Sequence, residues 1–133
     1  MREVVVAKMC GRWRNGVALQ ESPLTSNPDF DVNPSKFDYH DDERCPFSAH
    51  ICRCNPRGGL IVQRIANYNR RLVRRGVPYD PANPDDEKRG LLGNFICANL
   101  CTQFEALMCD WLNLGLEDPN ISGTNDSLLG AND

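Results

Sequence analysis

The sequence has 133 residues, 41% hydrophobic and 25% charged, which fits one small globular domain or part of a larger one. A formal net charge of −3 speaks against a nucleic-acid partner, and the longest apolar runs are far too short to span a bilayer. No cleavable leader is visible before Lys8, and seven cysteines cannot all pair with one another, so the sequence reads as a cytoplasmic protein with mostly reduced thiols.

In chain order, residues 2–13 have helical spacing: Val5, Val6, Met9 and Trp13 make an apolar stripe, and Gly16 follows as a stop. Residues 20–44 carry Pro23, Pro28 and Pro34 among Ser, Asn and Asp and end in an acidic run. They predict a long surface loop or a string of turns. The string RRLVRRGVPY predicts a short strand ending at Gly76 and Pro78, and a second loop covers about residues 80–88. LLGNFICANL fits a buried strand, interrupted by Gly93 and Asn94. The clearest helix comes next. Thr102 is its expected N-cap, with Glu105 as capping-box partner, and Phe104, Leu107, Met108, Trp111 and Leu112 form one apolar face. From Gly115 the tail is rich in Gly, Pro, Asn and Ser, and no internal repeat is present.

The chemistry concentrates in RCPFSAHICRCNPR, residues 44–57, which holds one of only two histidines. Nine of the fifteen Lys and Arg lie between Arg44 and Lys88, and such an Arg-rich stretch in an acidic chain points to a bound anion. Cys45, His50, Cys52 and Cys54 carry ligand types that suit zinc, although three donors in five residues leave little chain to wrap a tetrahedron. The same cysteines lie near arginines that would lower a thiol pKa, which raises reactive-thiol chemistry as a second reading. A third is a haem site, with imidazole on the iron and arginines on the propionates. An isolated histidine is more often structural than a ligand, and free cysteines are commonly buried small hydrophobes, the expected state of Cys97, Cys101 and Cys109.

The order of motifs resembles the C-terminal half of the dye-decolourising peroxidases. AKMCGRWRNGVAL is similar to that family's AK-x-x-GRW-x-x-G-x-PL, and RCPFSAHICRCNPR to its CPF-x-AHIR-x-x-NPR. RRLVRRGVPYD resembles R-x-x-R-x-GIPYG, KRGLLGNFICANL resembles RGLLF-x-C-x-Q-A, and the helix QFEALMCDWLN and the string TNDSLLG also have counterparts. The likeness covers about residues 4–130.

The resemblance implies an α+β fold over residues 1–133, a ferredoxin-like antiparallel sheet with helices packed on one face, half of the family's two-repeat architecture. It implies haem b, with His50 as the proximal iron ligand and Asp126 holding its other ring nitrogen. Arg74 matches the distal arginine, with Arg75 as the neighbour one register step away. Asn55, Arg57, Leu91 and Leu92 fall near the cofactor. The reaction implied is oxidation of a dye or phenolic reductant by hydrogen peroxide. Trp13, Trp111 and Tyr79 are candidate electron carriers whose plainer role is packing.

The chain departs from the family in several places. Its distal-acid motif G-x-x-D-G is absent, Cys52 replaces an arginine, Gly93 stands in place of an aromatic, and Asp80 replaces a glycine. The expectation is therefore a truncated or split member, weak or inactive alone, completed by an N-terminal-half partner chain or by homo-oligomerisation. The alternatives are a non-catalytic structural or interaction fragment and a small Cys/His zinc module.

Overall fold

Helix α1, Arg2–Cys10, ends where Gly11 adopts φ 93°, a conformation that a side chain would strain. The Gly11 N–H closes the last turn on the Ala7 carbonyl at 2.6 Å. A Cβ there would also strike Ile51, so the glycine brings the end of α1 onto the segment that carries the site. The stop thus precedes Trp13, and Gly16 instead turns a tight loop in which Trp13 N–H donates to Val17 O at 2.9 Å. Of the expected apolar stripe, Val5 and Val6 are exposed, and only Ala7 of α1 is buried.

The structure, a computed structural model, describes residues 2–29, 31, 33, 36–57, 67–80 and 88–131. Pro34 and most of the expected loop at 80–88 lie outside these residues. The main core joins Ala7, Trp13, Ala18, Leu19, Phe37, Tyr39, Cys45, Ala49 and Cys52. The described part of 20–44 is irregular, as expected, but it is no mere surface loop, since Phe37 and Tyr39 are buried edge to face, centroids 5.4 Å apart. The Trp13 indole N–H donates to Ser22 O at 2.7 Å, and the Arg44 guanidinium donates to Gln20 O and Glu21 O at 2.7 and 2.9 Å. These bonds seat residues 20–22 against the start of the site stretch.

After extended Ala49 comes α2, the single short turn His50–Cys54, with Cys52 and Arg53 on its buried side. Strands β1, Val73–Tyr79, and β2, Gly90–Ile96, form an antiparallel ribbon in which Arg74 pairs with Phe95, Gly76 with Gly93 and Pro78 with Leu91. Both strands fall where the sequence placed them, but β2 is not buried. Every residue of β1, and every residue of β2 but Gly90, is exposed.

Two π-pitch helices follow, α3 at Leu100–Glu105 and α4 at Leu107–Leu112. The N-cap of α3 is Asn99, three residues before the expected Thr102. The Asn99 side chain accepts from Thr102 N–H at 3.0 Å, while Gln103 Oε1 accepts from Ala98 and Asn99 N–H, the reciprocal bond expected of Glu105. Trp111 and Leu112 of the expected apolar face are buried, and Phe104 is exposed. α4 packs on α2, and α1 on α2, whereas the ribbon packs chiefly on itself. The architecture is α+β with an antiparallel sheet, as the sequence implied. The layer of helices expected over one sheet face is not supplied by the described residues.

Candidate functional site: a carboxylate-held histidine

His50 opens α2, and Asp126 lies 76 residues later in the irregular tail. Their side chains meet, with His50 Nδ1 3.1 and 3.2 Å from Asp126 Oδ2 and Oδ1. Asp126 is wholly buried and the His50 side chain is 22% exposed. With Nδ1 as donor to the carboxylate, the proton is held there and Nε2 keeps its lone pair, the arrangement of imidazoles that bind metals. Asp126 does a second job. Its Oδ1 also accepts from Leu128 and Leu129 N–H at 2.9 and 2.8 Å, which closes the tail turn. The turn-capping role and the histidine-orienting geometry coexist.

What carries Asp126 to His50 is Arg53, which the sequence reading passed over. It is fully buried and donates to Ser48 O at 3.2 Å, to Trp111 O and Thr124 O at 3.0 Å each, and to Thr124 Oγ1 at 2.5 Å. One guanidinium thereby ties α2 to the end of α4 and to the residue two before Asp126. The Asp126 N–H donates to Leu112 O at 2.6 Å and completes the clamp. Gly115, at φ 60°, lies so close to Ile121 O that no side chain fits. Glu117, also buried, has its pKa pushed up to about 7, first by burial.

The cysteines do not make a zinc site. Cys45 and Cys52 belong to the core, and among the described residues no three His, Cys, Asp or Glu side chains converge as metal ligands. Nor does arginine activate the thiols, because burial dominates. The Cys45 pKa is pushed up to about 11, that of Cys54 to about 12, and that of Cys52 also rises. All seven cysteines are unpaired. Of the three expected to be buried, Cys101 and Cys109 are exposed and Cys97 is half-buried. Cys54, one helical turn after His50, rests with Sγ 3.7 Å from Nε2, a neighbour readable from the four-residue spacing alone.

Asn55 and Arg57 border a cavity of about 370 Å³ shared with Lys36, Phe37, Asp38, Tyr68 and Arg71. The Arg57 guanidinium lies 4.3 Å from the Phe37 centroid, and the Arg71 guanidinium 4.5 Å from that of Tyr68. Asn55 Oδ1 accepts from Asn67 Nδ2 at 2.9 Å. Among the described residues, three cations to one acid line this cavity, which makes it electropositive and suited to carboxylates.

Arg74 is on the ribbon. The pairing puts Arg74, Gly76 and Pro78 on one face with Leu91, Gly93 and Phe95. Arg75, Val77, Tyr79 and Leu92 point the other way. Leu91 therefore shares a face with Arg74 and Leu92 does not. Trp13 and Trp111 are buried packing residues, while Tyr79 is exposed.

These features define a class, an α+β protein in which a buried carboxylate holds the Nδ1 side of an imidazole, with an electropositive cavity beginning at the end of the same helix. No family model matches the chain. It is 32% identical to a dye-decolorizing peroxidase, msp1, of Mycetinis scorodonius, over 98% of this chain and 28% of that protein. It is 28% identical to a dye-decolorizing peroxidase of Exidia glandulosa, over 98% of this chain and 29% of that protein. Among solved structures it matches a dye-decolorizing peroxidase complex with 2,6-dimethoxyphenol, with a TM-score of 0.69 and 27% identity, over 96% of this chain and 32% of that one. A variant in complex with cyanide gives 0.70 and 26%, over 98% and 33%. The chain belongs to the dye-decolourising peroxidase family. It spans less than a third of the length of these curated relatives.

Proposed function

We propose that the chain is the haem-ligating part of a dye-decolourising peroxidase, with His50 Nε2 as the proximal iron ligand. The observation that carries this is the 3.1 Å contact of His50 Nδ1 with buried Asp126, made across 76 residues. It fixes the tautomer a ligand needs and makes Nε2 a stronger donor. When bound, haem supplies the redox chemistry by which hydrogen peroxide oxidises a dye or phenolic reductant. The chain's own residues supply the rest. Asp126 holds the imidazole proton at Nδ1. Arg53 keeps Asp126 in place through Trp111 and Thr124. Asn55 and Arg57 lie at the electropositive cavity, where the propionates would find cationic partners. Arg74 orients peroxide and steadies the charge that develops as its O–O bond breaks. Leu91 lies on Arg74's face and gives it an apolar margin. Cys54 lies beside Nε2 with its thiol pKa pushed up to about 12 by burial.

The complete site needs more than the described residues. The sequence has no distal-acid motif, and general acid–base help is typically worth about 10²–10⁴-fold. Turnover by this chain alone is therefore weak, and a polypeptide supplying the rest of the family fold, or a second copy, completes the pocket. One observation favours a second reading, a fragment that acts only through interaction. Both faces of the ribbon are exposed and carry Val73, Val77, Leu91, Leu92, Phe95 and Ile96.

Titration of the purified chain with hemin, followed in the Soret region, tests the first reading. A band present in the parent and lost in His50→Ala supports it, and a parent that takes up no hemin refutes it. A peroxide-dependent dye assay then measures turnover, and robust activity would overturn the claim that the missing acid matters.

A further inference from the structure

Two apolar surfaces of this chain have no cover among the described residues, and they are of complementary kinds. The first is on the ribbon. Val73, Arg75, Val77 and Tyr79 of β1 share a face with Leu92, Asn94 and Ile96 of β2, and its five apolar side chains are each more than half exposed. The second is on α1. Positions 2, 5, 6 and 9 fall on one side of the helix, so Val5, Val6 and Met9 form a stripe with Arg2 at its start. Val5 and Val6 are exposed, while Ala7 turns the opposite side into the core. A helix stripe and a sheet face are the two surfaces that pack together in an α+β layer. Within one chain α1 packs on α2, with Gly11 against Ile51, and the stripe faces away. The charges agree on one orientation. Arg75, in the middle of the ribbon face, makes no ion pair among the described residues. Asp80 stands just past the end of β1. Its contact with Arg89 is 3.6 Å long and its side chain is 84% exposed, so it can be reached from either face. Arg75 lies about 16 Å from Asp80 along the strand, and α1 is about 13 Å long. With Arg2 set beside Asp80, the C-terminal end of α1 reaches Arg75, and its open carbonyls meet the guanidinium.

We propose that the chain forms a two-fold dimer in which α1 of each copy lies along the Val77 and Leu92 face of the other copy's ribbon. Exchanging the helix both ways closes the assembly at two copies and leaves neither surface bare. The eight apolar side chains of one contact take roughly 400 Å² of apolar surface out of water. Two such contacts with their polar margins reach roughly 1,400 Å², the size of a specific interface. The ribbon of a second copy is a poorer occupant than its helix. Two ribbon faces laid together would bring two Arg75 side chains into one apolar seam and desolvate both charges. Arg74's face stays open in this dimer, so the proposal stands or falls independently of the haem reading.

Sedimentation velocity of the full chain, from micromolar to millimolar concentration, tests this. The thiols are kept reduced so that exposed Cys101 and Cys109 do not link copies. The parent is expected to dimerise with a micromolar Kd. Val6→Glu on the helix and Leu92→Glu on the ribbon should each weaken the dimer at least about a hundredfold, because each buries a carboxylate in both contacts. Leu116→Glu lies on neither surface and should match the parent. All three side chains are more than half exposed, so the fold survives, which circular dichroism checks. Mixing Val6→Glu with Leu92→Glu is the decisive arm. The mixed dimer keeps one of its two contacts intact and should form more tightly than either variant does alone. Arg2→Glu and Asp80→Arg should each weaken the dimer about tenfold, and the double variant should recover it. Hydrogen exchange adds a second readout, since ribbon amides open in the dilute monomer should gain protection in the dimer. A parent that stays monomeric throughout overturns the proposal and leaves the face to another polypeptide. Growth beyond two copies overturns the closed exchange. A folded Val6→Glu that dimerises like the parent, a folded Leu92→Glu that does so, or a mixture that gains nothing overturns the pairing of helix with ribbon.

Discussion

Asp126→Asn separates the two jobs of the buried carboxylate. In the parent, Oδ1 accepts from Leu128 and Leu129 N–H at 2.9 and 2.8 Å, and Oδ2 faces His50 Nδ1 at 3.1 Å. Asparagine keeps one acceptor oxygen, so the turn stays capped. The second oxygen becomes an NH2 group. Two donors cannot face each other, so His50 must give up the proton at Nδ1 and carry it at Nε2 instead. The variant loses one charge-assisted hydrogen bond, worth about 1.5–3 kcal/mol, and regains part of it through the neutral bond, for a net stability loss of about 1 kcal/mol. Binding suffers more. A ligand nitrogen that carries a proton cannot donate to a metal, and removing such an outer partner typically weakens binding about 10–100-fold.

Asp126→Ala is the uninformative neighbour. It strips the acceptor from two backbone N–H groups and from the imidazole, at about 1–3 kcal/mol for each donor left buried and unpaired. Against a total stability of about 5–15 kcal/mol, that approaches unfolding. The assay is a hemin titration paired with urea melts, and nitrogen NMR of His50 reads the tautomer directly. Parent-like hemin affinity in folded Asp126→Asn, or a proton still at Nδ1, would refute the reasoning.

Arg53→Met removes the donor for Ser48 O, Trp111 O and Thr124 O while nearly preserving volume, and is expected to lower stability by about 3–5 kcal/mol in urea melts. Glu117 gives a pH signature. Its folded pKa of about 7 lies above the ordinary carboxylate value, so its contribution is fully present below about pH 4.5 and is lost as pH rises through 7. Thermal melts should thus show stability falling between pH 5 and 7.5 in the parent and a shallower slope in Glu117→Gln. Hydrogen exchange should find amides of Val73–Tyr79 and Gly90–Ile96 poorly protected beside those of Cys52, Arg53 and Asp126, because a two-stranded ribbon with both faces wet is marginal on its own.

The two residues that meet at the site were legible as local strings, an imidazole in CPFSAHI and an aspartate in the tail. The meeting of His50 with Asp126 was expected from the order of motifs and not from any spacing, since no periodicity links positions 76 apart. Arg53 was missed for a related reason. A buried arginine is indistinguishable in sequence from a solvated one until the carbonyls that surround it are known, and these come from Trp111 and Thr124 far along the chain. The cap moved from Thr102 to Asn99 because both fit the N-cap preference, and Gln103 reaching back to Asn99 decided between them. The thiol expectation failed on magnitude. Arginines near Cys52 and Cys54 do lower their pKa, but the desolvation of these buried sulfurs is larger.

The ribbon is the instructive miss. A continuous apolar run such as LLGNFI reads as a strand covered on both sides, since only that environment accepts apolar residues at odd and even positions alike. The strand exists, yet Leu91, Leu92, Phe95 and Ile96 are each more than half exposed. The pattern reports the environment to which the sequence is suited, and it is silent on which polypeptide provides it. Among the described residues α1 and α4 pack on α2 and α3 packs on α4, while both faces of the ribbon stay exposed. The matched structures align only about a third of their length with this chain. The register then assigns the faces different needs. Val73, Val77, Tyr79, Leu92 and Ile96 make one face apolar enough to call for a packed layer, while the other offers Arg74 beside glycines sheltered by Leu91 and Phe95. On the proposed haem reading the cofactor takes the second face and a protein layer the first, so hemin added alone should leave the amides at the ribbon's outer edges open to exchange.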